Sequence, residues 1–181
     1  MTAEVLKRAG LRPGLRILDV GCGMGDVTLL AARLVGPTGS VVGIDRDAEG
    51  LNRERAAAAQ VANVEFRQAE LPQIGEGEKF DALIGRLVMI YFPDPAQALR
   101  HLSSYVVPGG IIAFQEPDLS RASAVPPIPS VIENVARMNL VFERCGFHPR
   151  ISASLGQVFK AAGLTPSLYG ATPMEQGGGG F

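Results

Sequence analysis

Arg16-Ile17-Leu18-Asp19-Val20-Gly21-Cys22-Gly23-Met24-Gly25-Asp26 decides how the rest of the chain is read. Its first five residues are an apolar run of strand length, and three glycines at alternate positions follow. Helical periodicity then begins, with Val27, Leu30, Ala31 and Leu34 on one face up to residue 35. A strand that runs through a glycine turn into a helix leaves backbone N–H groups open to a ligand. The charges narrow that ligand. Asp19 precedes the glycines and Asp26 follows them, so carboxylates bracket a loop that a phosphate site would keep free of negative charge. The preferred ligand carries positive charge near the turn.

The same rhythm repeats downstream. A short helix over residues 3–9 stops at Gly10 and precedes the first strand. After the first βα unit, Gly36-Pro37-Thr38-Gly39 leads to a strand over 40–44 that ends in Asp45-Arg46-Asp47. Asp47 caps an alanine-rich helix to about residue 60, and further strands are predicted over 64–68 and 80–84. A loop over 85–92 leads to Asp94 as N-cap and Pro95 in the first turn of a helix reaching about residue 105. Pro108-Gly109-Gly110 reads as a tight turn before a fifth strand over 111–115, which ends in Glu116. Such alternation predicts an α/β, doubly wound, mostly parallel sheet with helices on both faces. Ligands bind beyond the carboxyl ends of such strands, where Asp19 to Gly25, Asp45, Ala69-Glu70, Gly85-Arg86 and Glu116 gather.

Beyond the fifth strand the pattern changes. A proline-rich linker over 125–129 introduces a helix over 130–145 with Val131, Val135, Met138 and Phe142 as an apolar stripe. Residues 119–150 therefore read as a helical insertion near the ligand edge of one domain spanning 1–170. A helix over 154–162 stops at Gly163, residues 164–169 read as a sixth strand, and 171–181, with four consecutive glycines, read as loop or disordered tail.

The 181 residues, 46% of them hydrophobic, suit one folded unit with a substantial core. A net charge of -1 argues against a nucleic-acid partner. Cys22 and Cys145 make a poor disulfide framework, so a reducing cytoplasm is expected. No apolar run approaches the ~20 residues that span a bilayer and the first residues do not form a signal peptide, so no membrane association is expected.

A dinucleotide fingerprint, Gly-x-Gly-x-x-Gly, would place its third glycine where Asp26 stands. Leu18-Asp19-Val20-Gly21-Cys22-Gly23-Met24-Gly25 instead resembles the glycine motif of the class I S-adenosylmethionine-dependent methyltransferases. Asp45, twenty residues beyond Gly25, matches the acidic residue that holds both ribose hydroxyls in that family, and Ala69-Glu70-Leu71 matches the segment bordering the adenine. The stretches at 80–84, Pro93-Asp94-Pro95 and Val107-Pro108-Gly109-Gly110 match further motifs in order. The resemblance covers about residues 10–116, more weakly 150–165. It implies a Rossmann-like sheet in the order 3-2-1-4-5. Residues 164–181 offer at most one of the family's two closing strands, so the sheet is expected to be incomplete there. Its unpaired edge would favour a homodimer.

The resemblance implies S-adenosylmethionine as cofactor, with S-adenosylhomocysteine as product. The expected cofactor-binding residues are Asp19, Gly21, Cys22, Gly23, Gly25, Asp45, Arg46, Ala69, Glu70, Leu71 and Arg86. Its sulfonium and ammonium suit the acidic turn. Glu116, Arg86 and His148 are the candidates for chemistry on the acceptor, each competing with a plain ion-pair or surface role; Cys22 reads as a small turn residue, and no metal site is expected. The expected activity is in-line methyl transfer to a small molecule. A non-catalytic S-adenosylmethionine-binding module is the alternative, and a nicotinamide-dependent oxidoreductase a third reading.

Overall fold

A computed structural model gives the architecture and describes residues 2–46, 60–70, 77–121, 126–167 and 170. Strands β1 (Arg16–Val20), β2 (Ser40–Asp45), β3 (Val64–Gln68), β4 (Phe80–Arg86) and β5 (Val106–Gln115) form a sheet in the order β3-β2-β1-β4-β5. Every pairing is parallel, with Ile17 opposite both Val41 and Ala82. All five carboxyl ends therefore meet at one edge. The helices are α1 (Thr2–Arg8), α2 (Asp26–Val35), α3 (Pro95–Ser103), α4 (Pro129–Arg144) and α5 (Ile151–Ala161).

Central strands of a two-sided sheet bury both faces and so are apolar at successive positions. In β1, Ile17 packs with Leu6 of α1, Val27 and Ala31 of α2, and Val41. Its neighbour Leu18 faces the other way, toward Leu99 and Leu102 of α3 and Ile151 of α5. Asp94 caps α3: its Oδ1 accepts from the Gln97 backbone N–H at 2.9 Å, and Pro95 occupies the first turn. Asp94→Ala should lower stability by about 1 kcal/mol and leave ligand binding unchanged; urea melts with and without ligand check both.

β1 and β3 run as the sequence predicts, and α2 spans the predicted residues. Its buried face holds Val27 and Ala31 as predicted and adds Thr28, Leu29, Ala32 and Val35, while Leu30 and Leu34 are only partly buried. β4 continues through Gly85-Arg86 where a loop was expected, because Gly85 leaves room for the Phe114 ring on the paired strand. β5 likewise starts at Val106. Pro108-Gly109-Gly110 is a bulge inside it: Phe80 opposes Val106 but Ala82 opposes Ile111, so the extra residues loop out at Gly109, φ +78°.

α5 begins at Ile151, not 154. At its other end Gly163 forms a Schellman turn, with Gly163 N–H bonding Lys160 O and Leu164 N–H bonding Phe159 O. That turn folds Leu164 back onto the core. Residues 164–167 consequently run without strand pairing, against the expected sixth strand. The helix predicted from Asp47, the remainder of that strand at 168–169, and the 171–181 tail lie outside the described residues.

Candidate functional site

The glycine turn sits at the open edge between β1 and β2. Gly21, Gly23 and Gly25 all have positive φ, +66°, +50° and +78°, a region that costs a residue with a Cβ about 1–2 kcal/mol. Gly21 and Cys22 donate their N–H groups to Ile44 O at 2.9 and 3.0 Å, which stitches the turn to the end of β2. Asp45 then reaches across, its Oδ2 accepting from Gly23 N–H at 2.9 Å. Space beside Gly23 is open, whereas a Cβ on Gly21 would meet Val88 Cγ2 at 2.4 Å. One side of the turn is packed and the other faces outward. Gly25 is the N-cap of α2 and offers no side-chain cap.

Asp19 lies beneath the turn, 1% exposed, and its Oδ2 accepts from Thr28 Oγ1 at 2.6 Å. Thr28 is able to sit there because Gly43 has no side chain: a Cβ would meet Thr28 Oγ1 at 2.9 Å. Burial raises the Asp19 carboxyl from an ordinary 3.8 to about 7, opposed by the Thr28 bond and the Arg86 charge and assisted by Asp45. The folded state thus holds a proton between about pH 4 and 7 that the unfolded chain has lost. Stability should fall as pH rises through that window and level off above it, by about 2–4 kcal/mol. Urea unfolding at pH 5 and 8 tests this. Asp19→Asn should remove most of the slope, leaving a remainder of the same sign from Glu116, whose carboxyl is also raised by burial.

Cys22 is buried and its thiol is pushed up to about 12 by burial and the charges of Asp19 and Asp45. It stays a thiol and fills the turn. On the neighbouring strand end, Ala69 N–H bonds Asp45 O at 3.0 Å and the Gln68 side-chain amide donates to Arg46 O at 2.7 Å. Asp45, Arg46, Ala69 and the exposed Glu70 are thereby gathered at the ends of β2 and β3; Leu71 lies outside the described residues.

Arg86 ends β4 beside Gln115. It forms an ion pair with neither Glu116 nor Asp19, although its charge lowers Asp19's carboxyl. A small cleft between α1 and these strand ends is lined by Val5, Leu6, Val27, Ile84, Arg86 and Phe114 among others. Glu116 is held differently from a free base. Its Oε1 accepts the backbone N–H groups of Val88, 3.0 Å, and Met89, 2.9 Å, at the start of the 3-10 turn Met89–Tyr91, while Oε2 is buried without a partner. His148 straps that turn and the segment after it: its backbone N–H donates to Ile90 O at 2.9 Å, and its Nε2 lies 3.2 Å from Pro93 O. The structure brings Asp19, the glycines, Asp45, Arg46, Ala69 and Glu70 to one edge. It ties His148 to backbone.

Sequence reasoning missed Thr28 and Val88. Thr28 looked like an ordinary helical residue, and only Gly43 in the middle of a strand signalled a close approach. Among the described residues no group of three or more His, Cys, Asp or Glu is placed to hold a metal.

A family model described as a methyltransferase domain matches residues 11–163. The demethylmenaquinone methyltransferase of Staphylococcus aureus is 33% identical over 114 residues, 62% of this chain and 47% of that one. The chain spans about half the length of the curated relatives it matches. Among solved structures, a SAM-dependent methyltransferase from Aquifex aeolicus superposes with a TM-score of 0.69 at 22% identity, covering 90% of this chain and 78% of that one. Coclaurine N-methyltransferase, solved with N-methylheliamine and S-adenosylhomocysteine, gives 0.57 at 22% identity, over 62% and 33% of the two chains. The parallel sheet in the order 3-2-1-4-5, the glycine turn after its central strand and a family match over most of the chain agree: the chain belongs to the methyltransferase domain family, of the class I, S-adenosylmethionine-dependent fold.

Proposed function

We propose that this domain binds S-adenosylmethionine across the glycine turn and transfers its methyl group to a small-molecule acceptor. The observation that carries the reading is Asp45, whose carboxylate stands at the open side of the turn with Oδ2 on Gly23 N–H. The residues suit the cofactor: the turn is open at Gly23, its surroundings are acidic, and Asp26 opens α2 where a pyrophosphate would sit. Asp45 would hold the ribose hydroxyls, with Arg46, Ala69 and Glu70 bordering the adenine and Gly21, Cys22 and Gly25 shaping the cradle. When bound, the cofactor supplies an activated methyl group on a sulfonium.

The chain's own contribution is placement. Asp19 orients the turn from below through Thr28 and adds negative charge toward a cationic ligand once ionised. Arg86, at the end of β4, borders the acceptor side; Glu116, with Oε1 on backbone N–H groups and Oε2 buried, and His148, tied to Pro93 O, are weaker candidates for contact with an acceptor. Apolar walls from α1 and β5 favour loss of the sulfonium charge by excluding water. We read residues 1–170 as one domain, with 119–150 as an insertion over the ligand edge and 171–181 as its tail. A homodimer through the edge of β5 that is unpaired among the described residues and a cytoplasmic setting without membrane or nucleic-acid partners complete the proposal; none of the described helices is long and apolar enough to cross a membrane.

S-Adenosylhomocysteine should raise the melting temperature of the chain, and NAD should leave it unchanged. The reverse pattern overturns the reading in favour of a nicotinamide enzyme. Methyl transfer to any member of a panel of small acceptors distinguishes an enzyme from a module that only binds.

A further inference from the structure

We propose that Glu116 is a positioning residue for the cofactor turn, acting through Val88, and not a base toward the acceptor. The inference rests on reading the glycine turn as the cofactor site. After β4 the chain makes an abrupt bend at Leu87, a non-glycine residue at φ +59° with its side chain 45% exposed. What holds it comes from β5: Gln115 O accepts from Leu87 N–H at 3.1 Å, and the Glu116 carboxylate takes the next two N–H groups, Val88 and Met89, on one oxygen. A left-handed residue outside glycine persists only where its surroundings over-determine it.

The bend has a direct purpose for the turn. It drives Val88 between two glycines, against Gly21 of the cofactor turn, where a Cβ would be 2.4 Å from Val88 Cγ2, and against Gly85 of β4, where one would be 2.9 Å from Val88 Cγ1. Gly21 is thus located from above by Val88 and from the side by Ile44 O. Glu116 sets the height of Val88 and therefore of the backbone that faces the ligand. Its second oxygen is buried as well, away from any acceptor.

The test is calorimetric binding of S-adenosylhomocysteine to the full chain together with hydrogen exchange at Val88 and Met89. Glu116→Gln keeps an oxygen on both N–H groups and should bind within about threefold of the parent. Glu116→Ala should bind at least about tenfold more weakly and expose the two amides, while exchange in β1 stays unchanged. Val88→Ala should weaken binding similarly, and the double variant should be no weaker than the weaker single one, because the two act through one contact. Should Glu116→Ala fail to fold, Val88→Ala and Glu116→Gln still decide the matter. Unaltered binding in Glu116→Ala or Val88→Ala, or equal damage from Glu116→Gln, overturns the inference while leaving the cofactor reading intact. A parent chain that does not bind S-adenosylhomocysteine overturns both.

Discussion

Gly21→Ala is expected to abolish S-adenosylhomocysteine binding and to lower stability by about 2–5 kcal/mol, the sum of two separate costs. The first is conformational: at φ +66° a Cβ crowds the backbone, about 1–2 kcal/mol. The second is steric. The added methyl would lie 2.4 Å from Val88 Cγ2 and 2.9 Å from Val88 Cβ, and overpacking of this kind costs about 1–3 kcal/mol. Val88 cannot readily yield, since its own N–H is held on Glu116 and its side chain is buried in the core cluster beneath α3. The turn must therefore move outward and lose its bonds to Ile44 O. Gly23→Ala makes the control. Its φ of +50° carries the same conformational cost, but nothing lies within 4 Å of the new methyl, so stability should fall by only about 1–2 kcal/mol while the methyl obstructs the ligand. Urea melts without ligand separate the two variants, and a Gly21→Ala chain within about 1 kcal/mol of the parent would contradict the packing argument.

The parts of this site that the sequence reveals are those that announce themselves through backbone demands or strand ends. A strand, three glycines and a helix state the turn directly, and parallel topology then forces Asp45, Ala69-Glu70, Arg86 and Glu116 to the same edge. What the sequence conceals is how side chains are used once they arrive. Glu116 bonds backbone groups 27 and 28 residues earlier in the chain, a contact that no local periodicity encodes. Leu87 takes a positive φ with a residue type that gives no hint of it. Gly85 and Pro108-Gly109-Gly110 read as breakers, yet the first accommodates Phe114 and the second bulges while the pairing resumes beyond it. In each case a partner on another strand overrides the local preference.

Asp45→Ala should weaken S-adenosylhomocysteine binding by about 100-fold, and Asp45→Asn by about tenfold, because the carboxylate does two things that the variants separate. One is structural: its Oδ2 holds Gly23 N–H at 2.9 Å. The asparagine retains a carbonyl oxygen for that bond; the alanine does not, and the turn loses its tie to the end of β2 at the position where it is most open. The other is electrostatic. Hydrogen bonds to a charged acceptor contribute about 1.5–3 kcal/mol against about 1 for neutral ones, so ribose hydroxyls on an amide are held less firmly than on a carboxylate. Asp45 also raises Asp19's affinity for a proton. Removing its charge should shift the loss of stability with rising pH to a lower pH in both variants, without ligand present. Binding and proton linkage then report on the same carboxylate independently. A variant that shows the pH shift and binds S-adenosylhomocysteine like the parent would move the ribose away from Asp45 while leaving the electrostatics of the turn as described.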